Sequence, residues 1–162
     1  MASFESPKTI NNMSFDKFKE LIEKDFNALI VDKTDNTTIL HTSAGEGHFE
    51  ALKYLIENCH CIPSVEDDNG ITPLHYASMC GHLDIVKYLI ENFYCVPNVE
   101  DNWDLIPLHY ASENGHLDVV KYLIEECHCN PNIEDFNKIT PLDYAIDYAH
   151  ADTVKYLKIF KI

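Results

Sequence analysis

The chain has 162 residues and a net charge of −15, from 27 acidic and 12 basic residues, and every basic residue is a lysine. Nucleic acids and anionic membranes are bound by clustered cations, with arginine prominent at phosphates, so this composition argues against both kinds of partner. A basic protein partner is compatible with the charge, which also favours a soluble monomer.

Cysteine usage and the N-terminus predict an intracellular protein. Residues 1–8 lack the basic start and apolar run of a signal peptide, and the longest apolar run is far short of a membrane span. We therefore expect free thiols in a reducing compartment, the cytoplasm, with the nucleus as an open alternative. The six cysteines are Cys59, Cys61, Cys80, Cys95, Cys127 and Cys129.

The N-terminal segment is predicted to be a flexible arm, 1–13, followed by a helix. Ser14 is a suitable N-cap for a helix that extends through Asp25. This helix matches a segment 68 residues later, so we interpret it as the second helix of a degenerate half repeat at one end of a stack. Its apolar residues at helical spacing are Phe15, Phe18, Leu21 and Ile22.

A six-residue motif recurs through the rest of the chain, and its copies begin at Thr38, Thr72, Ile106 and Thr140. Each copy lies 34 residues from the next. A constant period of this size is typical of stacked repeats. The leucines at the third motif position are Leu40, Leu74, Leu108 and Leu142.

The residues of one repeat predict helix, turn and helix. Thr72 is a good N-cap, Pro73 suits the first helical position, and Leu74 and Ala77 point inward. Gly81 then ends the helix, because glycine adopts a left-handed conformation cheaply. A second helix opens at His82, with an apolar stripe comprising Leu83, Val86, Leu89 and Ile90.

The motif Thr-Pro-Leu-His-x-Ala, followed by Gly-His-Leu-x-Val-Val-Lys-Tyr-Leu, resembles the ankyrin repeat over nearly the whole chain. The resemblance implies an all-α fold, an ankyrin-type α-solenoid of stacked helix-turn-helix repeats with projecting hairpin or loop fingers. We expect a single domain over 14–162. Its units are a half repeat at 14–32, repeats at 33–66, 67–100 and 101–134, and a C-terminal capping repeat at 135–162.

Several positions depart from the ankyrin pattern. The period is 34 where the family usually shows 33, and the extra residue falls within 92–97. Ile106 replaces the capping threonine and should cost its helix about 1 kcal/mol. In the last repeat, Asp143 replaces histidine and Ala149 replaces the helix-ending glycine. The hairpin position that favours positive φ carries Asn36, Gly70, Asp104 and Lys138.

Two Cys-His-Cys triplets, 59–61 and 127–129, suggest zinc at first sight. A structural zinc site needs four converging ligands, and each triplet offers no second arm. We interpret Cys61, Cys95 and Cys129 as replacements for a small buried alanine. No metal or other cofactor is therefore expected.

The histidines also recur with the repeat, which favours local hydrogen bonds over catalysis, because an active site needs different groups that converge once. Carboxylate pairs such as Asp67-Asp68 are interpreted as solvated turn residues. The recurring histidines are His41, His75 and His109 in one set, and His48, His82, His116 and His150 in the other.

The resemblance implies a binding surface, since partners of ankyrin-like stacks usually dock on the concave face made by the hairpin tips and first helices. Carried over position by position, this face holds Thr34, Asp35, Thr42, Glu46, Asp68, Asn69, Ile71, Tyr76, Met79, Cys80, Asn102, Trp103, Leu105, Tyr110, Glu113, Asn114, Phe136, Asn137, Ile139, Tyr144, Asp147 and Tyr148.

Aromatic residues in a polar rim are typical of interface hot spots. Trp103 and Phe136 are predicted at loop tips, where the repeat itself needs no large aromatic. Tyr76, Tyr110 and Tyr144 are predicted to form an outward-facing row, although they could equally cover the helix face. The predicted anchors of the interface are Trp103, Tyr110, Phe136 and Tyr144. The carboxylates predicted to select positive charge on a partner are Asp68, Glu113 and Asp147.

The sequence thus predicts a non-enzymatic protein-interaction module, a scaffold or adaptor that binds one protein through the concave face. The alternatives are a metal- or redox-responsive protein that uses the Cys-His-Cys triplets, and a targeting segment of a larger enzyme.

Overall fold

The computed structural model describes residues 14–24 and 34–161, and within these ranges the chain forms nine α-helices, one 3-10 helix and no strand. The predicted arm, 1–13, and Asp25 lie outside the described residues. The helices are α1 (Phe15–Lys24), α2 (Ile39–Gly45), α3 (Phe49–Glu57), α4 (Pro73–Cys80), α5 (Leu83–Phe93), α6 (Pro107–Glu113), α7 (Leu117–Glu125), α8 (Pro141–Asp147), α9 (Ala151–Leu157) and the 3-10 helix Lys158–Phe160.

The helices form two layers. The first helices of the repeats, α2, α4, α6 and α8, contact one another in sequence order. The second helices form the other layer, in which α1 contacts α3, α5 contacts α7 and α7 contacts α9. Neighbouring first helices contact each other more extensively than neighbouring second helices, so the stack curves towards the first helices and the loop tips beside them. We call this side the concave face.

The N-terminal helix behaves as the second helix of a half repeat. The backbone N–H of Lys17 donates to Oγ of Ser14 over 3.3 Å, which confirms the predicted cap. Phe18 and Ile22 are buried against the first full repeat, whereas Phe15 lies at the edge of the stripe. A helix with one buried face is expected at the end of a solenoid.

The repeated motif supplies the core, as predicted. Its four leucines are buried, and Ala77, Ala111 and Ala145 are fully enclosed between neighbouring first helices. Alanine at these positions allows the close approach that makes the first-helix layer compact. The hydroxyls of Thr38 and Thr140 accept hydrogen bonds from the amides of Leu40 and Asp143, which caps α2 and α8.

Positive φ occurs where the hairpin glycine was expected. Asn36, Asp104 and Lys138 have φ of 57°, 61° and 66°, beside 76° at Gly70. The extra residue of the 34-residue period also has a conformational role that the sequence did not suggest. His60, Tyr94 and His128 adopt φ of 57°, 55° and 57° just after the second helices.

Ile106 is fully buried, which changes the interpretation of the lost cap. Its backbone N–H still donates to Nδ1 of His109 over 3.1 Å, as Thr72 does to His75 in the preceding repeat. The isoleucine therefore loses a hydroxyl but adds apolar burial, and the two effects are of similar size. The predicted net cost of about 1 kcal/mol is reduced by this burial.

Gly81 is required by its neighbour as well as by its φ of 78°. A Cβ atom built on Gly81 would lie 2.4 Å from Nδ1 of His116 in the following repeat. Gly47 and Gly115 are covered in the same way by His82 and His150. Each of these glycines thus permits one repeat to stack on the next.

Candidate functional site

The loop tips of the concave face are joined by backbone hydrogen bonds. The N–H of Asp68 donates to the carbonyl of Asp35, and the N–H of Asn102 donates to that of Asn69, each over 3.0 Å. The N–H of Phe136 donates to the carbonyl of Trp103, also over 3.0 Å. These bonds hold the tips in register, because each backbone donor and acceptor is fixed by its neighbour.

A buried aspartate shapes each finger, and this corrects the interpretation of Asp67 as a solvated turn residue. Asp67 exposes 7% of its surface, whereas Asp68 is exposed. In the next repeat, Oδ1 of Asp101 accepts from the amides of Trp103 and Leu105, over 2.8 and 3.0 Å. The same pair of bonds recurs at Asp67 and Asp135. The turn therefore depends on the carboxylate inside it, which accepts both amides.

The predicted outward-facing tyrosine row is engaged within the fold, and for Tyr110, which is buried, the prediction is wrong. The hydroxyls of Tyr76, Tyr110 and Tyr144 donate to the Oδ2 atoms of Asp67, Asp101 and Asp135, over 3.4, 2.6 and 2.7 Å. Tyr110 exposes only 9% of its surface, and the other two are half-buried. These tyrosines connect each first helix to its own finger, so their hydroxyls are occupied within the fold.

The rings of the same tyrosines pack against histidines of the preceding repeat. His41 meets Tyr76, His75 meets Tyr110 and His109 meets Tyr144 edge to face, with ring centroids 5.5, 5.6 and 5.9 Å apart. Burial raises the pKa of Tyr110, and the hydrogen bond to Asp101 raises it further. The row is part of the contact between repeats.

The motif histidines are buried and neutral. Nδ1 of His75 accepts from the amide of Thr72, so the ring proton lies on Nε2, which donates to the carbonyls of Val99 and Leu105 over 3.1 and 3.3 Å. Burial lowers the pKa of His75 to about 4 and also lowers that of His41 and His109. The predicted role in local hydrogen bonding is confirmed for His41 and His75, and these bonds tie one repeat to the next finger.

A second tyrosine row, which the sequence interpretation missed, lies on the second helices. The hydroxyl of Tyr88 donates to Glu57 over 2.8 Å, and that of Tyr122 donates to Glu91 over 3.0 Å. Tyr54 and Tyr156 make the same bond, to Glu23 and Glu125. The constant separation of 31 residues between glutamate and tyrosine was visible in the sequence and could have indicated this row.

Two aromatic side chains of the loop tips remain exposed. Trp103 exposes 46% of its surface and Phe136 exposes 70%. Neither ring pairs with another aromatic ring among the described residues. Their backbones are nevertheless fixed, by the bond from Phe136 to Trp103 and by that from Trp103 to Asp101. An exposed aromatic on a rigid backbone loses little entropy when a partner covers it.

The other predicted site residues fall into two groups by exposure. Asn102 and Asn114 are exposed but bond to backbone carbonyls of Asp68 and Tyr110. The hydrogen bond to Glu113 raises the pKa of Tyr148, which places these two side chains together. The remaining exposed members are Thr34, Asp68, Cys80, Asn137, Asp147 and Tyr148, and the half-buried members are Asp35, Thr42, Glu46, Asn69, Ile71, Met79, Leu105, Glu113 and Ile139.

Lysines are distributed unequally between the two helix layers. The first helices α2, α4, α6 and α8 contain no lysine. Seven lysines lie instead on the second helices, and three of them lie over aromatic rings of that layer. These seven are Lys17, Lys19, Lys24, Lys53, Lys87, Lys121 and Lys155. Apart from the neutral histidines, the first helices therefore carry only carboxylates among their acidic and basic side chains, whereas the second helices carry both signs of charge.

Five of the six cysteines pack on the core, Cys80 is exposed, and none forms a disulfide. Cys95 and Cys129 are buried, and Cys61 is half-buried, in agreement with the predicted hydrophobic role. Burial raises the pKa of Cys61 and Cys95 to about 11 and that of Cys129 to about 12. Since metal ligation and redox exchange use the thiolate, these environments do not favour either reaction.

The geometry and sequence comparison define the class of protein. A family model for ankyrin repeats matches residues 8–101 and 94–161, and the chain belongs to the ankyrin repeat family. Members of this family are generally protein-protein interaction modules. No curated protein matches the chain. Among the residues that the structure describes, no helix is long and apolar enough to cross a membrane.

Proposed function

We propose that the chain is a non-enzymatic scaffold or adaptor, a monomer that binds one protein partner through its concave face. The observation that carries this proposal is the pair of exposed aromatics, Trp103 and Phe136, on loop tips joined by a backbone hydrogen bond. Neither ring pairs with another aromatic ring among the described residues, whereas the tyrosines of the same face are engaged internally.

The anchors of the proposed interface are Trp103, Phe136 and the exposed Tyr148 beside Glu113. Tyr110 is not among them, because it is buried against Asp101. The polar rim comprises Asp68, Asn69, Ile71, Tyr76, Met79, Asn102, Leu105, Asn114, Asn137, Tyr144 and Asp147. Aromatic anchors within such a rim carry most of the binding free energy in known interfaces.

The six unpaired cysteines support placing this function in a reducing compartment such as the cytoplasm or nucleus. The stacked repeats support one binding domain over 14–162 with the repeat boundaries predicted above. The rise in thiol pKa supports this function over a metal- or redox-responsive one.

The test is affinity capture from native cell lysate, with Trp103→Ala/Phe136→Ala as the variant. A double variant that includes Tyr110→Ala would be uninformative, since it would also remove the hydrogen bond to Asp101. The matched control is Tyr94→Ala/Ile62→Ala, because these two large side chains are also exposed, by 86% and 67%, but lie after the second helices.

We expect the loop-tip variant to lose the captured protein and the control to retain it, with unchanged thermal unfolding in both. Retention of the same partner by a folded Trp103→Ala/Phe136→Ala protein would refute the concave-face proposal.

A further inference from the structure

The distribution of charge defines the chemistry of the partner. On the concave face, the first helices carry Glu113 and Asp147 and no lysine, whereas the carboxylate of Asp143 is hydrogen-bonded to Thr140. The loop tips add exposed carboxylates at Asp68 and Asp104. Because these groups share one face of a curved stack, their fields add, and the face attracts cations.

Seven of the ten lysines in the described chain lie on the second helices, and none lies on a first helix. Lys87 and Lys121 lie over the rings of Tyr122 and Tyr156 in the second-helix layer. Lys138 is at a loop tip, where its Nζ lies 3.4 Å from Glu134. The carboxylates of the concave face therefore have few internal counterions within the described residues.

The exposed ring of Trp103 and the carboxylate of Glu113 lie near opposite ends of α6. Trp103 precedes α6 at the loop tip, and Glu113 is the last residue of α6. Seven helical residues span roughly 10 Å, so an extended peptide of about three or four residues would bridge them. Indole and phenyl faces bind cationic side chains through their quadrupoles, and arginine stacks on them most readily.

We propose that the concave face binds a cationic polypeptide segment, whose lysine or arginine side chains stack on Trp103 and Phe136 and pair with Glu113 and Asp147. This inference rests on the proposed function and specifies the partner of the same surface. Nucleic acid and anionic lipid carry the same sign of charge as the face and are repelled by it.

The test titrates the full chain with hexa-arginine and follows backbone and indole signals by ¹⁵N NMR at low salt. The expected shifts are confined to the loop tips of Trp103 and Phe136 and to the end of α6, with weaker binding as salt increases. Hexaglutamate and a glycine-serine hexapeptide serve as anionic and neutral probes, and neither should bind.

Matched charge variants decide whether the carboxylates of this face are responsible. Glu113→Gln/Asp147→Asn should weaken hexa-arginine binding roughly three- to tenfold. Glu126→Gln/Asp152→Asn makes the same change in net charge on the second-helix side, where both residues are exposed, and should change binding less than about twofold. Trp103→Ala should weaken it by a further factor of roughly three.

Equal effects of the two charge variants, shifts spread over both layers, absence of hexa-arginine binding, or preferential binding of the neutral or anionic probe would each overturn the inference. Self-association that is abolished by Glu113→Gln/Asp147→Asn would also overturn it, because the occupant would then be the lysine-bearing second-helix layer of another copy. Sedimentation velocity measures that outcome.

Different experimental results would refute the proposed function and this inference. A captured protein that requires Trp103 and Phe136 but binds Glu113→Gln/Asp147→Asn unchanged, with no salt dependence, leaves the proposed function intact and refutes a cationic partner. A captured protein indifferent to Trp103 and Phe136 refutes the proposed function itself.

Discussion

The hydroxyl of Tyr110 donates a 2.6 Å hydrogen bond to Oδ2 of Asp101, nine residues earlier. The other carboxylate oxygen of Asp101 accepts hydrogen bonds from the backbone amides of Trp103 and Leu105, which close the turn that carries Trp103. One buried carboxylate thus links the first helix of the third full repeat to the loop tip that carries the proposed anchor.

Removing that hydroxyl tests the link. Tyr110→Phe leaves a buried carboxylate oxygen without its donor and should reduce the free energy of unfolding by about 2 kcal/mol. Tyr76→Phe is the matched variant, and its cost should be below about 1 kcal/mol, because Tyr76 lies 3.4 Å from Asp67 and is half-buried. Urea unfolding followed by circular dichroism measures both, and equal losses would contradict the structural account.

Stacking of successive repeats depends on a missing Cβ atom at Gly81. Gly81→Ala would force the ring of His116 to move and would place alanine at φ of 78°, so it should destabilise the fold by roughly 2 kcal/mol or more. In a His116→Ala background only the backbone strain remains, and the same substitution should cost roughly 1 kcal/mol.

At Ala149 the informative substitution is to glycine. Ala149 has φ of 60° and is exposed, so its methyl group has room. Ala149→Gly should therefore stabilise the chain by about 1 kcal/mol through relief of the left-handed conformation. A loss of stability in thermal unfolding would show that this position is not strained.

Substitutions at Ile106 separate the contribution of a capping hydroxyl to stability from that of apolar burial. Ile106→Thr should restore a capping hydroxyl, worth about 1 kcal/mol, and remove apolar burial of about the same size. We expect a change in the free energy of unfolding within about 1 kcal/mol of zero. Ile106→Ala is the control, which loses both contributions and should cost roughly 2 to 4 kcal/mol.

The neutral histidines predict how stability depends on pH. The pKa of His75 is lowered by burial from 6.5 to about 4, so below pH 6.5 the unfolded chain binds a proton that the folded chain does not. The contribution to folding is complete above pH 6.5, falls as the pH decreases towards 4, and reaches roughly 3 kcal/mol of loss for His75 alone. His41 and His109 act in the same direction.

Urea midpoints between pH 7 and pH 5 measure this slope with little contribution from carboxylates. The variant His75→Gln should reduce the slope of unfolding free energy against pH by the equivalent of about one bound proton, since one titrating group is removed. An identical slope in the variant would contradict the assignment of the proton uptake to His75.

The sequence predicted the fold well because every repeat must satisfy the same local rules. The interval of 34 residues, the capping threonines, the core leucines and the positive-φ hairpin positions all follow from helix and turn chemistry that acts over a few residues. The departures at Ile106, within 92–97 and at Ala149 were visible too, although their consequences depended on what lies beside them.

The candidate site was less predictable, because exposure depends on contacts between repeats. Tyr76, Tyr110 and Tyr144 recur on the correct helices, yet their hydroxyls bind aspartates nine residues earlier and their rings meet histidines of the preceding repeat. Asp67 and Asp68 are adjacent aspartates that the sequence does not distinguish, but only Asp67 is buried. Such differences arise from tertiary neighbours.

The sequence alone determined that this chain is a stack of ankyrin repeats, since cap, proline, leucine and glycine act through local hydrogen bonds and backbone conformation. Only the tertiary structure decided which side chains of the concave face are available. Tyr110 is enclosed because His75 of the preceding first helix and Asp101 of its own finger meet around it, while Trp103 and Phe136 keep 46% and 70% of their surface exposed.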